Sequence, residues 1–526
     1  MTQTGNGSAL LHLRAARSAL QAARGKEKVD LLLSAPDPEA LVQAIPENEL
    51  YLALLEIGPD DTAEIVALSS PAQFRHFVDL AAWPRRDEGP DPRAVLRWLH
   101  LAREGGGHSE RARRRYLDKL SQLDGEMRSL VLRKALRVHD LQEEPEPAVT
   151  DPGRTFRTPE GRYVIEFLPG AGDYGTLKQI LEDLYSEDVF ATTRLLESLR
   201  WEVPTELEET ARRWRDGRLR DLGFPELDEA VAFYARPATR PTAAAGAASG
   251  AASSSTTALT SGSADVASLL EAALSRLEGD ERDRAEEGLV YALNAALVAN
   301  AVSLDDVDEV RGALADARAT LSLGLELLSG GDVDAAGHVL AERPVREIFQ
   351  AGLAEPYRLQ SRARRIAQSA RLPQAQTVTL LDSPLSDAVE ALQRKRPVWP
   401  DPGNPRKRRA LGTRAEVAQA EGLLDEAEAV VALLRELGIA PAELGARAES
   451  AGIAPTALHA SDAVRALAVQ RLRGDTQLPL GDDAPAPEGL QRSVDELLQG
   501  AARTVGTEAA KRAAARLRDR ALKSSR

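Results

Sequence analysis

The sequence predicts a mainly α-helical protein, built of stacked short helices and helical hairpins with one small β-hairpin, in two parts. Three observations carry that prediction. First, Asp37-Pro38-Glu39, Ser70-Pro71-Ala72 and Asp91-Pro92-Arg93 each precede a short run rich in Leu, Ala and Val. The Asp or Ser side chain supplies an N-cap acceptor for an orphan backbone N–H, and proline at the next position loses no hydrogen bond. Second, only 4% of the residues are aromatic against 43% hydrophobic, and an Ala/Leu/Val interior suits close helix packing better than a sheet sandwich. Third, 526 residues exceed what one core serves, and a tract of Ala, Ser, Thr and Gly at 236–263 divides the chain.

Residues 9–35 read as an opening amphipathic helix, with Leu10, Leu11, Leu13, Ala16, Leu20 and Ala23 near one face. Short helices are expected at 38–45, 47–57, 60–68, 71–83 and 92–103, and a longer helix or helix pair over 108–141. Residues 1–148 therefore form a short-helix array. The breaker Glu143-Glu144-Pro145-Glu146-Pro147 leads into the strand signal: Phe156-Arg157-Thr158 and Arg162 to Phe167 flank the turn Pro159-Glu160-Gly161. Alternation sets Tyr163, Ile165 and Phe167 on one face. A lone hairpin is not stable in water, so residues 149–235 are expected to pack it against helices at 174–184, 186–198, 204–215 and 225–234.

The 236–263 tract lacks the bulky apolar residues needed to offset its ordering entropy and reads as a disordered linker. Residues 264–475 read as a C-terminal helical domain, with helices at 264–277, 281–300, 304–328, 333–341, 345–369, 385–394, 414–437 and 455–472. A polar break and basic terminal helices occupy 476–526.

Two resemblances follow from particular residues. Asp37-Pro38-Glu39-Ala40-Leu41, Ile45-Pro46 and Leu54-Leu55 resemble the helix–proline–restart pattern in the cytosolic helical domain of magnesium transporters and in flagellar motor-switch domains; this implies a shape over 31–83. A second covers most of the chain. Ala35-Pro36-Asp37-Pro38, Leu50-Tyr51, the run Thr158 to Phe167, Leu199-Arg200-Trp201-Glu202-Val203-Pro204, Arg212 to Leu219 and Asp221-Leu222-Gly223-Phe224-Pro225 are similar to an uncharacterised family of bacterial helical proteins of unknown function. That resemblance implies no activity.

With 67 basic and 81 acidic residues the chain carries −14, which repels nucleic acid and anionic membranes unless charge is segregated. The absence of cysteine excludes disulfides, thiolate metal sites and Cys nucleophiles. Residues 1–8 are polar, and no window approaches the roughly 18 consecutive apolar residues of a spanning helix. A cytoplasmic protein without membrane insertion is expected.

The densest group of unusual residues is Trp201, Arg212, Arg213, Trp214, Arg215 and Arg218 beside Glu202, Glu206, Glu208, Glu209 and Asp216. Arginines beside indoles form a cation–π surface for an acidic or phosphorylated partner. The plainer reading puts both tryptophans in the core and pairs the arginines with those acids, and composition favours it. The glycine-rich loop from Phe167 to Thr176 follows a strand, but lacks a Gly-Lys-Ser/Thr ending and carries Asp173, so it reads as a capped connection.

Arg394-Lys395-Arg396 and Arg406-Lys407-Arg408-Arg409 bracket Trp399, and 503–526 hold eight basic against two acidic residues. Such clusters suit phosphate contacts; their plainer reading is a solvated loop and a helix with basic residues at its C-terminal end. No two of the seven histidines stand three or four residues apart, and no hydrolase or metal motif appears. The leading expectation is therefore a non-enzymatic interaction or scaffold protein without a cofactor. Its contacts to a protein partner are placed at Tyr163, Trp201, Arg212, Arg213 and Trp214. The alternative is nucleic-acid association through residues 394–409 and the tail; third stands an enzyme of unrecognised type.

Overall fold

The computed structural model describes residues 23, 25–58, 61–83, 89–107, 109–170, 174–235, 269–372, 380–401, 404–480 and 487–523. The linker at 236–263 and most of the opening helix lie outside the described residues. Twenty-three α-helices and two small antiparallel sheets make up the described fold, which is mainly α. The described residues through Leu314 belong to one compact unit and those from Ala315 onward to a second. The division thus falls inside the Val307–Ser329 helix, rather than at the Ala/Ser/Thr tract. Residues 269–314 join the first unit because the Leu227–Phe233 and Gly279–Ala299 helices pack together, with Phe233 and Tyr291 ring to ring at 6.0 Å.

All three N-cap signals act as the chemistry requires. Asp37 accepts from the Ala40 N–H at 3.0 Å, Asp91 accepts from the Arg93 N–H at 3.0 Å, and Ser70 forms a reciprocal capping box with Gln73. Each cap is followed by proline in the first helical turn. The resulting Pro38–Ala44, Glu47–Ile57, Ala63–Leu68, Pro71–Ala81 and Pro92–Glu104 helices stack around Tyr51, Phe77 and Trp98, whose rings lie 5.3–6.1 Å apart. Short helices leave carbonyls for side chains to satisfy: Gln73 Nε2 donates to Val42 and Ile45, and the buried Lys119 ammonium donates to Ala67. Burial pulls the Lys119 pKa down to about 8.

The 108–141 stretch proves to be a pair of helices, Glu110–Gln122 and Gly125–Ala135, running directly into a strand. That strand, β1 (Leu136–Asp140), enlarges the expected hairpin of β2 (Thr155–Arg157) and β3 (Tyr163–Phe167) into a sheet of order β1-β3-β2. Tyr163, Ile165 and Phe167 are buried as the alternation requires. Glu166, on the other face, is buried too, because it accepts from the Thr150 N–H at 2.8 Å and contacts His139 at 3.3 Å.

In the second unit the Arg414–Glu436 helix is central. The Val345–Ser369, Leu385–Gln393, Leu490–Val505 and Glu508–Lys523 helices pack on it, around Leu359, Leu392, Leu424, Leu433, Leu498 and Leu517. The basic segment expected as a loop forms a second hairpin, β4 (Trp399–Asp401) with β5 (Asn404–Arg409). The fold therefore contains two small sheets rather than one hairpin. A further helix, Pro441–Ser450, precedes Ala460–Arg473.

Candidate functional site

The Val189–Trp201 helix is capped by Asp188, which accepts from the Ala191 N–H at 2.9 Å. Its Leu196 and Leu199 face inward, while Phe190 and Trp201 are 79% and 71% exposed. Eleven residues make three turns, so these two rings share one outer face roughly 17 Å apart. Between them lies Glu197, held by the Tyr163 hydroxyl and the Arg162 guanidinium, each at 3.0 Å. Trp201 carries the Arg200 guanidinium over its ring at 5.1 Å. Arg200 is itself tied to Asp140 at 3.2 Å and to Glu143. Val203, 48% exposed, links this face to the next helix, Pro204–Asp221, on which Trp214 is 56% exposed.

Both tryptophans of the Trp–Arg block are therefore outside the core, contrary to the plainer reading. The arginines do pair as it expects. Arg212 meets Glu208 at 3.1 Å, Arg213 meets Glu209 at 3.4 Å and Arg215 meets Asp216 at 2.9 Å. Arg218 clamps buried Asp79 through Nε and Nη2 at 2.7 and 2.8 Å, and reaches Asp124 at 2.8 Å. Burial opposes the Arg218 charge, but its hydrogen bonds with Asp79 and Asp124 outweigh it and hold its pKa above the ordinary arginine value. Arg218 thus pins this helix to the layers below.

The five residues expected to meet a partner separate into different environments. Trp201, Arg213 and Trp214 are exposed. Arg212 is turned inward, 5.5 Å from the Trp83 ring centroid beside Arg215 at 5.6 Å. Tyr163 does not belong to the outer face: it is fully buried in β3 under Arg162, whose guanidinium lies 4.8 Å from its ring. Burial and the hydrogen bond to Glu197 push its phenol up to about 12. Its hydroxyl meets the outer face where it donates to Glu197 at 3.0 Å. Phe190 was legible as a surface residue, since it falls in register with Arg194 and Glu197 rather than with Leu196 and Leu199.

Trp83, Arg212, Arg215 and Asp216 also line a groove of about 790 Å³ on the flank of the Pro204–Asp221 helix away from Trp214. Its far wall is apolar, from Phe224 and the end of the Gly279–Ala299 helix, including Leu297 and Ala301. Ala301 holds φ 49°, the one non-glycine among the described residues in the left-handed region. The Val302 N–H closes that helix end onto the Leu297 carbonyl at 3.1 Å. Nothing in the sequence signals this groove, since its walls lie some eighty residues apart.

The basic segments divide likewise. Arg409 turns inward to Glu416 at 2.6 Å and Arg394 lies 3.9 Å from Glu390. Lys395, Lys407 and Arg408 are exposed, and Arg396 is half-buried. The Arg406 side chain lies outside what the structure describes. Five of the tail's eight basic residues are ion-paired: Arg512 and Arg516 converge on Glu426 at 3.1 and 2.8 Å, Arg518 meets Asp495, Lys511 meets Glu508 at 2.6 Å and Arg520 lies 3.5 Å from Asp382. Among the described residues no group of three or more His, Asp or Glu side chains is placed to hold a metal ion, and no helix is long and apolar enough to cross a membrane.

Fold and surface define a mainly helical protein of two compact units whose first unit leaves three large aromatic side chains in solvent. The chain belongs to the DUF6178 family, a family of unknown function, whose model matches residues 6–519. No curated protein and no solved structure shows significant similarity to it; the likeness of residues 31–83 to magnesium-transporter helices is one of local sequence pattern.

Proposed function

We propose that this protein is a non-enzymatic interaction protein. Its partner, a protein, docks on the exposed side chains of the Val189–Trp201 and Pro204–Asp221 helices: Phe190, Trp201, Val203, Arg213 and Trp214. The observation that carries this reading is the exposure of Trp201 and Trp214 at 71% and 56%, with Phe190 at 79%. Trp is among the side chains most enriched at interface hot spots. Covering one such ring removes on the order of 100–150 Å² of apolar surface from water, about 3 kcal/mol at roughly 25 cal/mol per Å². Two such anchors contribute about 6 kcal/mol, comparable to the lower end of the roughly 4–15 kcal/mol that association costs, so the contacts around them supply the surplus. The paired charges around them, Arg213 with Glu209 and Arg200 with Glu143, form the polar rim typical of a protein interface.

The test is a nuclease-treated pull-down with the wild-type chain and with Trp201→Ala/Trp214→Ala. Arg212→Ala is unsuitable, because Arg212 also packs on Trp83. Wild type is expected to retain one protein at near-equal abundance, which the double variant loses while its thermal midpoint stays unchanged. Retention of the same protein by the double variant overturns the placement of the face. Recovery of no protein by wild type overturns the interaction reading itself.

A further inference from the structure

The second unit carries a separate surface of opposite character to the chain's net charge of −14. Three pieces meet there. The 394–395 turn is held to the Val345–Ser369 helix by Gln360, whose Nε2 donates to the Lys395 carbonyl at 3.2 Å and also to the Arg394 carbonyl. One turn beyond Gln360, on the same flank, stands exposed Arg364, and Arg371 follows just past the helix end. The turn then enters β4, anchored by the Val398 N–H on the Ala391 carbonyl at 3.2 Å. It pairs with β5 so that Pro400 opposes Arg408 and Trp399 opposes Arg409.

Among the described residues, Arg364, Arg371, Lys395, Lys407 and Arg408 take part in no ion pair. Glu390, an exposed acid beside them, sits 3.9 Å from Arg394, and the side chain of Asp401 in β4 lies outside what the structure describes. The opposite flank of the same helix behaves differently: Arg358 is taken up by Glu355 and Glu421, and Arg362 by Asp425 and Glu428. Charge is thus segregated on this helix, neutralised on one flank and left open on the other. Trp399, the aromatic that the two basic segments bracket, is 5% exposed and part of the core. It is not available to a base.

We propose that the β4–β5 hairpin, the 394–395 turn and the adjoining flank of the Val345–Ser369 helix form a nucleic-acid-binding face that contacts the phosphate backbone. With no ring to stack on bases, this face reads charge alone, so binding is independent of sequence. About four phosphate contacts give a roughly hundredfold loss of affinity between about 50 and 200 mM salt.

The experiment measures fluorescence anisotropy of two unrelated mixed-sequence DNA duplexes and a single-stranded RNA of equal length, titrated with the full chain. Equal affinity for the two duplexes is expected, with the salt dependence above, and Lys395→Glu/Lys407→Glu/Arg408→Glu is expected to lose binding by twentyfold or more. All three residues are exposed, so the melting temperature checks that the fold is kept. A tail variant, Arg503→Glu/Lys523→Glu, should bind as wild type. The ratio between duplex and RNA affinities identifies which backbone the face prefers. Absence of binding at low salt, unchanged binding by the triple variant, or displacement by polyglutamate at equal charge concentration each overturns the proposal, the last by reassigning the face to acidic proteins.

Discussion

Gly324 and Gly352 lie against each other where the Val307–Ser329 and Val345–Ser369 helices cross, each with its backbone N–H nitrogen 3.0 Å from where the other's Cβ would stand. A Cβ on Gly324 would lie 1.9 Å from the Ile348 carbonyl oxygen, and one on Gly352 would lie 1.9 Å from that of Thr320. Both obstacles are backbone, so a side chain cannot turn aside and the helices must separate. Thr320, Gly324, Ile348 and Gly352 thus define a close crossing.

Gly324→Ala and Gly352→Ala are therefore expected to destabilise the second unit by about 1–3 kcal/mol or more, as overpacking does, although alanine is the better helix former. Gly422, inside the Arg414–Glu436 helix with nothing within 4 Å of its would-be Cβ, supplies the control. Gly422→Ala should stabilise the same unit by about 0.5–1 kcal/mol. Chemical denaturation of the three variants checks the opposite signs. Equal effects at 324 and 422 would show that the crossing is looser than described.

His76 is buried between the Pro71–Ala81 and Glu47–Ile57 helices, with Nε2 2.7 Å from Asn48 Oδ1. The amide oxygen only accepts, so Nε2 carries a proton. Burial, with the Arg215 and Arg218 charges adding to it, pulls its pKa down to about 3; Asp79, one turn on, is itself held by Arg218. In the unfolded chain the imidazole protonates below about 6.5. The unfolded state therefore binds one more proton between about pH 6.5 and 3, and stability from this group is complete above 6.5 and falls by about 1.4 kcal/mol per pH unit below it. His76→Gln keeps an N–H for Asn48 without the titration. The difference in unfolding free energy between wild type and variant, followed from pH 7 to 4, should show that slope; a flat difference would place His76 in solvent.

The helical character and the caps were legible because they are local: Asp37, Ser70 and Asp91 need only the next few residues to do their work. β1 was not, since Leu136–Asp140 continues a helix and becomes a strand only by pairing with β3, more than twenty residues on. The plainer reading, which put both tryptophans in the core, fails for a related reason. Trp usually pays for burial with contacts, and nothing local to Trp201 or Trp214 shows that Leu196, Leu199, Leu207 and Leu219 already fill the inward faces of their helices. The groove beside Arg212 and the Gln360-anchored basic turn bring together segments far apart in sequence, which periodicity does not reach. Charge runs such as 406–409 name the residues but not which way they turn: Arg409 goes inward and Arg408 outward.

The basic tail shows the same limit most sharply, and it yields the last prediction. Read as sequence, 501–526 is a basic terminal segment, and the nucleic-acid alternative makes binding vanish on its removal. In the structure, Ala510, Ala513, Leu517 and Ala521 are buried in the core of the second unit, with Val494, Leu497 and Leu498 from the preceding helix. Arg512 and Arg516 converge on Glu426, whose side chain is 9% exposed, Arg518 closes on Asp495, and Arg520 lies 3.5 Å from buried Asp382. Asp382 in turn accepts from the Ser461 hydroxyl at 2.7 Å and its N–H at 3.1 Å, holding the start of the Ala460–Arg473 helix. Truncation after Gly500 strips apolar cover from the Arg414–Glu436 helix and leaves buried Glu426 without its two arginines. Because Arg512 and Arg516 reach solvent, that loss costs less than the roughly 3–5 kcal/mol of a fully buried pair, and the lost apolar packing dominates. The truncated chain is expected to lose cooperative unfolding of its second unit and to become protease-sensitive there, whereas Arg503→Ala/Lys523→Ala, at exposed positions, leaves the melting profile unchanged. A truncated chain that melts like wild type would show that the terminal helix is peripheral after all.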